Sequence, residues 1–151
     1  MNPTPRTLPA RCALLVLWLF LGSCAWFRPD PPVYPEVKLA SGLVVRDLVV
    51  PESGAEVSNG AAVAIDYLLR LADKTVVESS RDSGQLLRFH VGDGTVPSGL
   101  DEGVLGMRLF GRRRLTVPPE LAFGAQGRPP AIPASATVIF DIELMEHTPS
   151  P

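Results

Sequence analysis

The sequence predicts an α+β domain in which an antiparallel sheet of short strands carries one short helix. The first observation is that short apolar and β-branched runs occur along most of the chain, with turn residues between them. The second is that only residues 98–107 combine the start and stop signals of a helix. A chain of 151 residues with 46% apolar residues and a net charge of −2 suits one folded domain with short appendages.

The predicted strands differ in how clearly their residues alternate. Residues 137–144 place apolar side chains on one face and Asp141 and Glu143 on the other, a pattern typical of a half-buried strand. Residues 61–67 alternate less cleanly, but their β-branched side chains and the preceding Asn59-Gly60 turn favour a strand over a helix. Six strands are predicted in total, over residues 43–50, 62–71, 75–78, 86–91, 113–117 and 137–145.

The single predicted helix has residues that satisfy free backbone groups at both ends. Ser98 offers a capping hydroxyl, and Asp101 falls where a carboxylate answers the first N–H groups. Gly106 lies near the C-terminal end, where glycine is favoured. Asp101 and Glu102 are therefore interpreted as helix-start charges and not as an acid–base pair.

The N-terminus has the pattern of a secretory signal. Arg6 and Arg11 precede a nine-residue apolar run, residues 13–21, which ends in small residues. A transmembrane helix is the alternative, but it needs roughly 20 apolar residues, and the run is much shorter. Residues 1–23 are therefore predicted to be a signal peptide that is removed.

The end of this segment resembles the lipobox of bacterial lipoproteins. Residues 21–24 read Leu-Gly-Ser-Cys, and the resemblance implies that Cys24 is acylated and holds the protein on a membrane. The alternative is a chance or buried cysteine. Because Ala25 and not Asp follows the cysteine, the resemblance predicts a bacterial cell envelope protein on the periplasmic face of the outer membrane.

The rest of the chain divides by composition into a tether, a domain and a tail. Residues 24–37 contain four prolines and are predicted to form an extended tether that follows the lipid. Residues 38–147 are the predicted folded domain, and residues 148–151 are a frayed tail. If the signal leaves with Cys12 and lipid occupies Cys24, the mature chain has no free thiol.

Composition and spacing exclude several classes of function. Sixteen carboxylates against fourteen cations leave no basic face for nucleic acid. Residues 94–99 have the glycine spacing of a phosphate-binding loop, but Leu100 stands where lysine is needed. His90 and His147 lie far apart without ligand partners, and Ser79-Ser80 has no evident base nearby. Metal, cofactor and hydrolase sites are therefore not predicted.

Six short motifs follow one another between residues 63 and 137. They are VAIDY at 63–67, SSRD at 79–82, FHVG at 89–92, GLDEGVLGM at 99–107, PPELAFG at 118–124 and IPASAT at 132–137. In order and spacing these motifs resemble the FKBP-type peptidyl-prolyl isomerases, over about residues 42–146. The resemblance implies a strongly twisted antiparallel sheet, a half-barrel, wrapped around one short helix.

The activity implied by this resemblance is the rotation of X-Pro peptide bonds. The barrier of ~18–20 kcal/mol comes from the loss of amide resonance, and no covalent bond is broken. A twisted amide is less dipolar than a planar one, so an apolar, water-excluding pocket favours the twisted state. Such a site needs no acid, base or nucleophile.

Carried over position by position, the resemblance assigns a pocket lined mainly by apolar side chains. The implied catalytic residues are Tyr67, Phe89, Val96, Leu100, Phe123, Ile132 and Phe140, and the implied substrate-binding residues are Val77, Glu78 and Leu87. Phe89 and Phe140 have an alternative role as core residues, because side chains that line this pocket also fill the concave face of the sheet. The hydroxyl of Tyr67 needs a polar partner or a ligand if it is buried.

Several positions depart from the family pattern. Leu100 stands where the family usually has a tryptophan at the pocket floor, and Phe123 lacks the hydroxyl of a common tyrosine. Pro97 has no N–H at a position that often donates to the ligand. Val77 and Leu87 replace positions that are often aromatic, and Glu78 replaces an aspartate. These changes predict weakened macrolide binding, at roughly 0.5–1.5 kcal/mol per lost hydrogen bond, and reduced isomerase activity.

Two functions are therefore considered. The first is a peptidyl-prolyl isomerase that assists the folding of extracytoplasmic proteins. The second is a non-enzymatic chaperone or peptide-binding module that keeps the fold and holds proline-containing segments in a degenerate pocket. The predicted partners are proline-containing polypeptides and, through the lipid on Cys24, a membrane.

Overall fold

The computed structural model describes residues 32–149. The predicted signal peptide, the acylation site at Cys24 and most of the predicted tether lie outside these residues. The described chain forms seven strands: β1 (Glu36–Lys38), β2 (Val44–Val49), β3 (Ala62–Leu71), β4 (Val76–Ser79), β5 (Leu87–His90), β6 (Arg112–Val117) and β7 (Val138–Thr148). It also forms helices α1 (Ser80–Ser83) and α2 (Ser98–Val104) and a 3-10 turn at Pro119–Leu121.

All seven strands belong to one antiparallel sheet, in which six follow the order β1-β2-β6-β7-β3-β4 and β5 pairs with β3 beside β4. Strand β3 is central, since it pairs with β7 along its whole length on one edge. On its other edge β3 pairs first with β5 and then with β4. The predicted α+β class, with an antiparallel sheet that carries a short helix, is confirmed.

Strand β7 shows why the sheet has one buried face. Val138, Phe140, Ile142 and Leu144 are each at most 3% exposed. On the other face, the carboxylate of Asp141 accepts hydrogen bonds from Arg114 (Nε to Oδ1, 2.6 Å) and Arg70. The alternation predicted for this strand is therefore confirmed, with apolar residues in the core and paired charges outside.

Helix α2 packs against the buried face of β6. Leu100 and Val104 of this helix are fully buried, as is Leu115 of β6. The helix lies so close to the strand that a Cβ on Gly103 would stand 2.2 Å from Cδ1 of Leu115. A side chain at position 103 would force Leu115 to move, so glycine permits this approach, and Leu100 of the same helix lies in the hydrophobic core.

The ends of α2 differ from the prediction. The N-cap residue is Pro97, and the hydroxyl of Ser98 faces the carbonyl of Leu121 at 3.5 Å instead of capping the helix. The helix ends at Val104 and has no basic residue in its last turn. Arg113 of β6 supplies the missing cation, because its Nη1 donates to the carbonyls of Gly103 (2.8 Å) and Leu105 (2.9 Å).

Two further elements were missed by the sequence analysis. Residues 36 and 37, predicted to lie in the tether, belong to β1, which pairs with β2. The sheet thus begins before the predicted domain boundary at residue 38, and β7 continues to Thr148 in the predicted tail. Helix α1 follows β4 directly and is capped by Ser79, whose hydroxyl accepts from the amide of Asp82. Within residues 32–149, no helix is long and apolar enough to span a membrane.

Candidate functional site

The apolar residues predicted to line the site belong to one hydrophobic cluster on the concave side of the sheet. They come from strands, helix and loops: Tyr67 (β3), Val77 (β4), Leu87 and Phe89 (β5), Val96 and Leu100 (before and within α2), Phe123 (after the 3-10 turn), Ile132 (the following loop) and Phe140 (β7). The cluster also contains ordinary core residues, so membership alone does not separate a pocket wall from the core.

Exposure divides the nine residues into two groups. The floor residues have almost no accessible surface: Leu100 (0%), Ile132 (0%), Phe140 (3%) and Phe89 (6%). The rim residues are partly exposed and pack against the floor: Tyr67, Val77, Leu87, Val96 and Phe123. A substrate that approaches this surface therefore meets rim side chains over a sealed apolar floor.

Tyr67 joins the rim to the floor and to the one charged residue of the predicted site. Its ring lies 6.4 Å from that of Phe140, centroid to centroid, with the planes tilted by 46°. Its hydroxyl donates a hydrogen bond to Oε1 of Glu78. The polar partner that a half-buried tyrosine needs is therefore a carboxylate of the neighbouring strand.

The pKa values of this pair separate in opposite directions. Burial raises the pKa of Tyr67 to about 12, and the hydrogen bond to Glu78 adds to the effect. The Tyr67 hydroxyl, followed by Arg128, holds the pKa of Glu78 below its ordinary value. At neutral pH the tyrosine is a neutral donor and Glu78 is a carboxylate. Neither group has the pKa of an acid–base catalyst near pH 7.

Arg128 is a residue of this site that the sequence analysis did not predict. Its Nη2 donates to Oε2 of Glu78 at 2.7 Å, and its guanidinium carbon lies 5.2 Å from the ring centroid of Phe123. Arg128 therefore links the loop before β7 to β4 across the rim. No local spacing signals this contact, because fifty positions separate the two partners.

The loop that carries Arg128 is held by its own backbone. The amides of Arg128 and Ile132 each donate to the other residue's carbonyl at 2.9 Å. Gly127 has a φ of +65°, and a Cβ there would stand 2.3 Å from the carbonyl oxygen of Pro133. This tight turn places Ile132 in the floor and Arg128 on the rim.

Ser80 has a structural role beside the site. Its buried hydroxyl donates to the carboxylate of Asp66 and accepts from the amide of Tyr67 at 2.8 Å. These contacts hold the backbone of β3 in place at Tyr67. Burial acts against the charge of Asp66, but the hydrogen bonds from Ser80 and Arg81 outweigh it, and the pKa of Asp66 is lowered.

The opposite face of the sheet has a separate, charged hollow of about 170 Å³. Arg81 pairs there with Asp66 at 2.6 Å, and Arg114 pairs with Asp141 at 2.6 Å. Its charges are thus already compensated, and we assign it no ligand. Residues 32–149 contain no cluster of three side chains suited to a metal ion.

Two of the positions that depart from the family pattern, Pro97 and Phe123, make defined contacts in the structure. Pro97 presents a carbonyl and no N–H, and its oxygen accepts from the amides of Leu100 (2.8 Å) and Asp101 (3.1 Å). Phe123 is half-buried beneath the guanidinium of Arg128, and its ring has no hydroxyl to donate to a ligand.

Comparison with known proteins identifies the family of the chain. The sequence model of the family described as FKBP-type peptidyl-prolyl cis-trans isomerase matches residues 54–145. The chain belongs to this family. It is 38% identical over 102 residues to FK506-binding protein 2 of Yarrowia lipolytica, covering 68% of this chain and 71% of that protein. It is 40% identical over 108 residues to FK506-binding protein 4 of Rhizopus delemar, covering 72% of this chain and 28% of that protein.

Solved structures give the same assignment. The crystal structure of AtFKBP13 has a TM-score of 0.69 at 33% identity, covering 76% of this chain and 99% of that one. The crystal structure of FkpA from Escherichia coli has a TM-score of 0.68 at 31% identity, covering 82% of this chain and 55% of that one. The chain spans under a third of the length of the FK506-binding proteins 4 of Rhizopus and Dictyostelium.

The comparison corrects the predicted location. Relatives matched by sequence include eukaryotic FKBPs, from fungi and Dictyostelium to a 39 kDa FK506-binding nuclear protein of Drosophila melanogaster. The prediction of a lipid-anchored protein in a bacterial cell envelope is wrong by this finding, and the relatives lend no support to lipid on Cys24. That prediction rested on the apolar run at residues 13–21 and the short motif at residues 21–24, whereas the family match extends over residues 54–145.

Proposed function

We propose that this domain is a peptidyl-prolyl cis-trans isomerase that accelerates rotation of X-Pro bonds in polypeptide substrates. Family membership supports the reaction class. The observation that carries the proposal is the pairing of a partly exposed apolar rim with a sealed floor beneath it. A proline ring placed on this surface exchanges water for apolar contacts, as X-Pro rotation requires.

The physical basis is differential stabilisation of the twisted amide. Planar resonance gives the ground state its dipole, and the dipole is lost as the bond rotates. An apolar surface that removes water from the bond therefore costs the ground state more than the twisted state. In the proposed site, Tyr67, Val96 and Phe123 contact the substrate, and Leu100 and Ile132 support them from below.

The proposed clients are proline-containing polypeptides during folding, because uncatalysed X-Pro rotation takes tens to hundreds of seconds. No compartment is proposed for this activity. FK506 and similar macrolides are proposed as weak ligands. Phe123 lacks a hydroxyl and Pro97 lacks an N–H, so two hydrogen bonds that the family commonly offers are unavailable.

The test is prolyl-limited refolding of a client protein in the presence of the full chain at micromolar concentration. We expect a faster slow phase, and Tyr67→Ala and Phe123→Ala to reduce the acceleration. Arg88→Gln serves as the matched surface control, since Arg88 is exposed and pairs with Glu146. Refolding no faster than in buffer overturns the enzymatic proposal.

A non-enzymatic binding module is the second candidate, favoured by the sealed Leu100. A floor without accessible surface gives a shallow site, which can hold a segment without distorting its amide. Suppression of client aggregation that persists in a Tyr67→Ala/Phe123→Ala double variant with lost isomerisation would support this candidate. Leu100→Asp is unsuitable for the test, because an unpaired charge at a fully buried position unfolds the domain.

A further inference from the structure

We propose that Arg128 is a specificity-determining residue, which selects substrates carrying an acidic side chain next to the proline. The inference rests on the proposed isomerase function. It starts from the position of Arg128 on the rim, above the ring of Phe123 and beside Glu78. A polypeptide segment whose proline occupies the rim must pass this guanidinium.

The hydrogen-bonding groups of the rim are unevenly used. Both oxygens of Glu78 already accept, Oε1 from Tyr67 and Oε2 from Arg128. A guanidinium has five N–H donors, and the contact with Glu78 is the only side-chain hydrogen bond of Arg128 among residues 32–149. Arg128 therefore has donors left for a substrate, and a carboxylate is the acceptor that matches a guanidinium best.

The setting of Arg128 keeps these donors in place. The side chain of Arg128 is 49% exposed, so a substrate can reach it. Stacking over Phe123 and the bond to Glu78 restrain the guanidinium at two points, which lowers the entropy lost when a carboxylate binds. Because Glu78 neutralises part of its charge, the selection should be modest.

The experiment compares three peptides that differ only in the residue before proline, glutamate, glutamine or lysine. The full chain is used, and exchange is followed by NMR without a coupling protease, because a protease would impose its own selectivity. The readout is kcat/KM for Glu-Pro divided by kcat/KM for Gln-Pro. We expect a ratio of about two to five, the range that an exposed ion pair supports, and slower rates for Lys-Pro.

Two variants should shift this ratio in opposite directions. Arg128→Gln removes the donors and should bring the ratio to about 1. Glu78→Gln removes the neutralising charge and should raise the ratio above that of the wild type. Arg88→Gln is the control and should leave the ratio unchanged, since the Arg88–Glu146 pair has the same 2.7 Å bond on exposed side chains.

The outcomes separate this inference from the proposed function. A wild-type ratio of 1 or less, or equal loss of both rates in Arg128→Gln, overturns the role of Arg128 and leaves the isomerase in place. Rates at the buffer level for all three peptides overturn both. A ratio that falls towards 1 in 0.5 M salt, alongside the two opposite shifts, supports the inference.

Discussion

Replacing Leu100 by alanine tests whether the floor of the site is as closely packed as the structure indicates. The side chain is fully buried, so the whole transfer free energy of the three deleted carbon atoms is lost, about 2.4 kcal/mol at ~0.8 kcal/mol each. A residual cavity adds to this cost and brings the total to about 3–4 kcal/mol. With a urea m value of about 1.5 kcal/mol/M, the unfolding midpoint should fall by about 2 M.

The matched control is Leu105→Ala, at the C-terminal end of the same helix. Leu105 is 39% exposed, and its truncation should cost less than about 1 kcal/mol. Urea unfolding followed by circular dichroism measures both variants. Equal losses in the two variants, or a loss below 1 kcal/mol for Leu100→Ala, would show that Leu100 is not packed as a floor, and the account of the site would fail with it.

Three further predictions follow from individual contacts. Arg113→Met should lower the free energy of unfolding by about 2 kcal/mol, because it leaves Asp47 and two carbonyls at the end of α2 without their partner. Arg112→Met, on the exposed face, is the control and should cost under about 0.5 kcal/mol in the same urea titration. Phe123→Tyr should tighten macrolide binding by about two- to tenfold in calorimetry, by offering the hydroxyl that this chain lacks; unchanged affinity would mean that the hydroxyl cannot reach the ligand. The lowered pKa of Glu78 stabilises the fold above the pKa of the unfolded chain, and this contribution is lost as the pH falls through the folded value, so the wild-type urea midpoint should drop more steeply below pH 5 than that of Glu78→Gln.

The strands could be predicted from the sequence because their signals are local, whereas the site residues were assigned only through the family resemblance. Alternation in residues 137–144 identifies the buried face of β7, and the structure places those apolar residues in the core. The ends of elements were less predictable. Ser98 has the side chain of an N-cap, yet the chain enters α2 through Pro97 and turns the hydroxyl towards Leu121. Which residue caps a helix depends on the path of the entering chain.

The polar contacts of Arg128 and Arg113 with distant segments were not predicted. Arg128 lies in a loop rich in glycine and proline and reads as a solvated charge, but the fold brings it to Glu78 and Phe123. Arg113 likewise reads as part of a basic run, although its side chain is only 13% exposed and closes the end of α2. Sequence spacing carries no information about such pairs, because the packing of loops and helices against the sheet decides them.

The predicted location shows a different limit. The lipobox resemblance rested on residues 21–24 and the preceding apolar run, whereas the sequence relatives described above are eukaryotic FKBPs. Short motifs match by chance far more often than six motifs in fixed order. The fold and reaction class, which depended on the longer pattern, were the parts of the prediction that the comparison confirmed.

The sequence by itself determined the class of this protein: apolar alternation specifies the sheet, and six ordered motifs specify the family. Only the tertiary structure decided which apolar residues are floor and which are rim, and that Arg128 closes on Glu78. Hydrophobicity favours the burial of an apolar side chain, but the strands and loops packed around it decide how much of its surface remains accessible to a substrate.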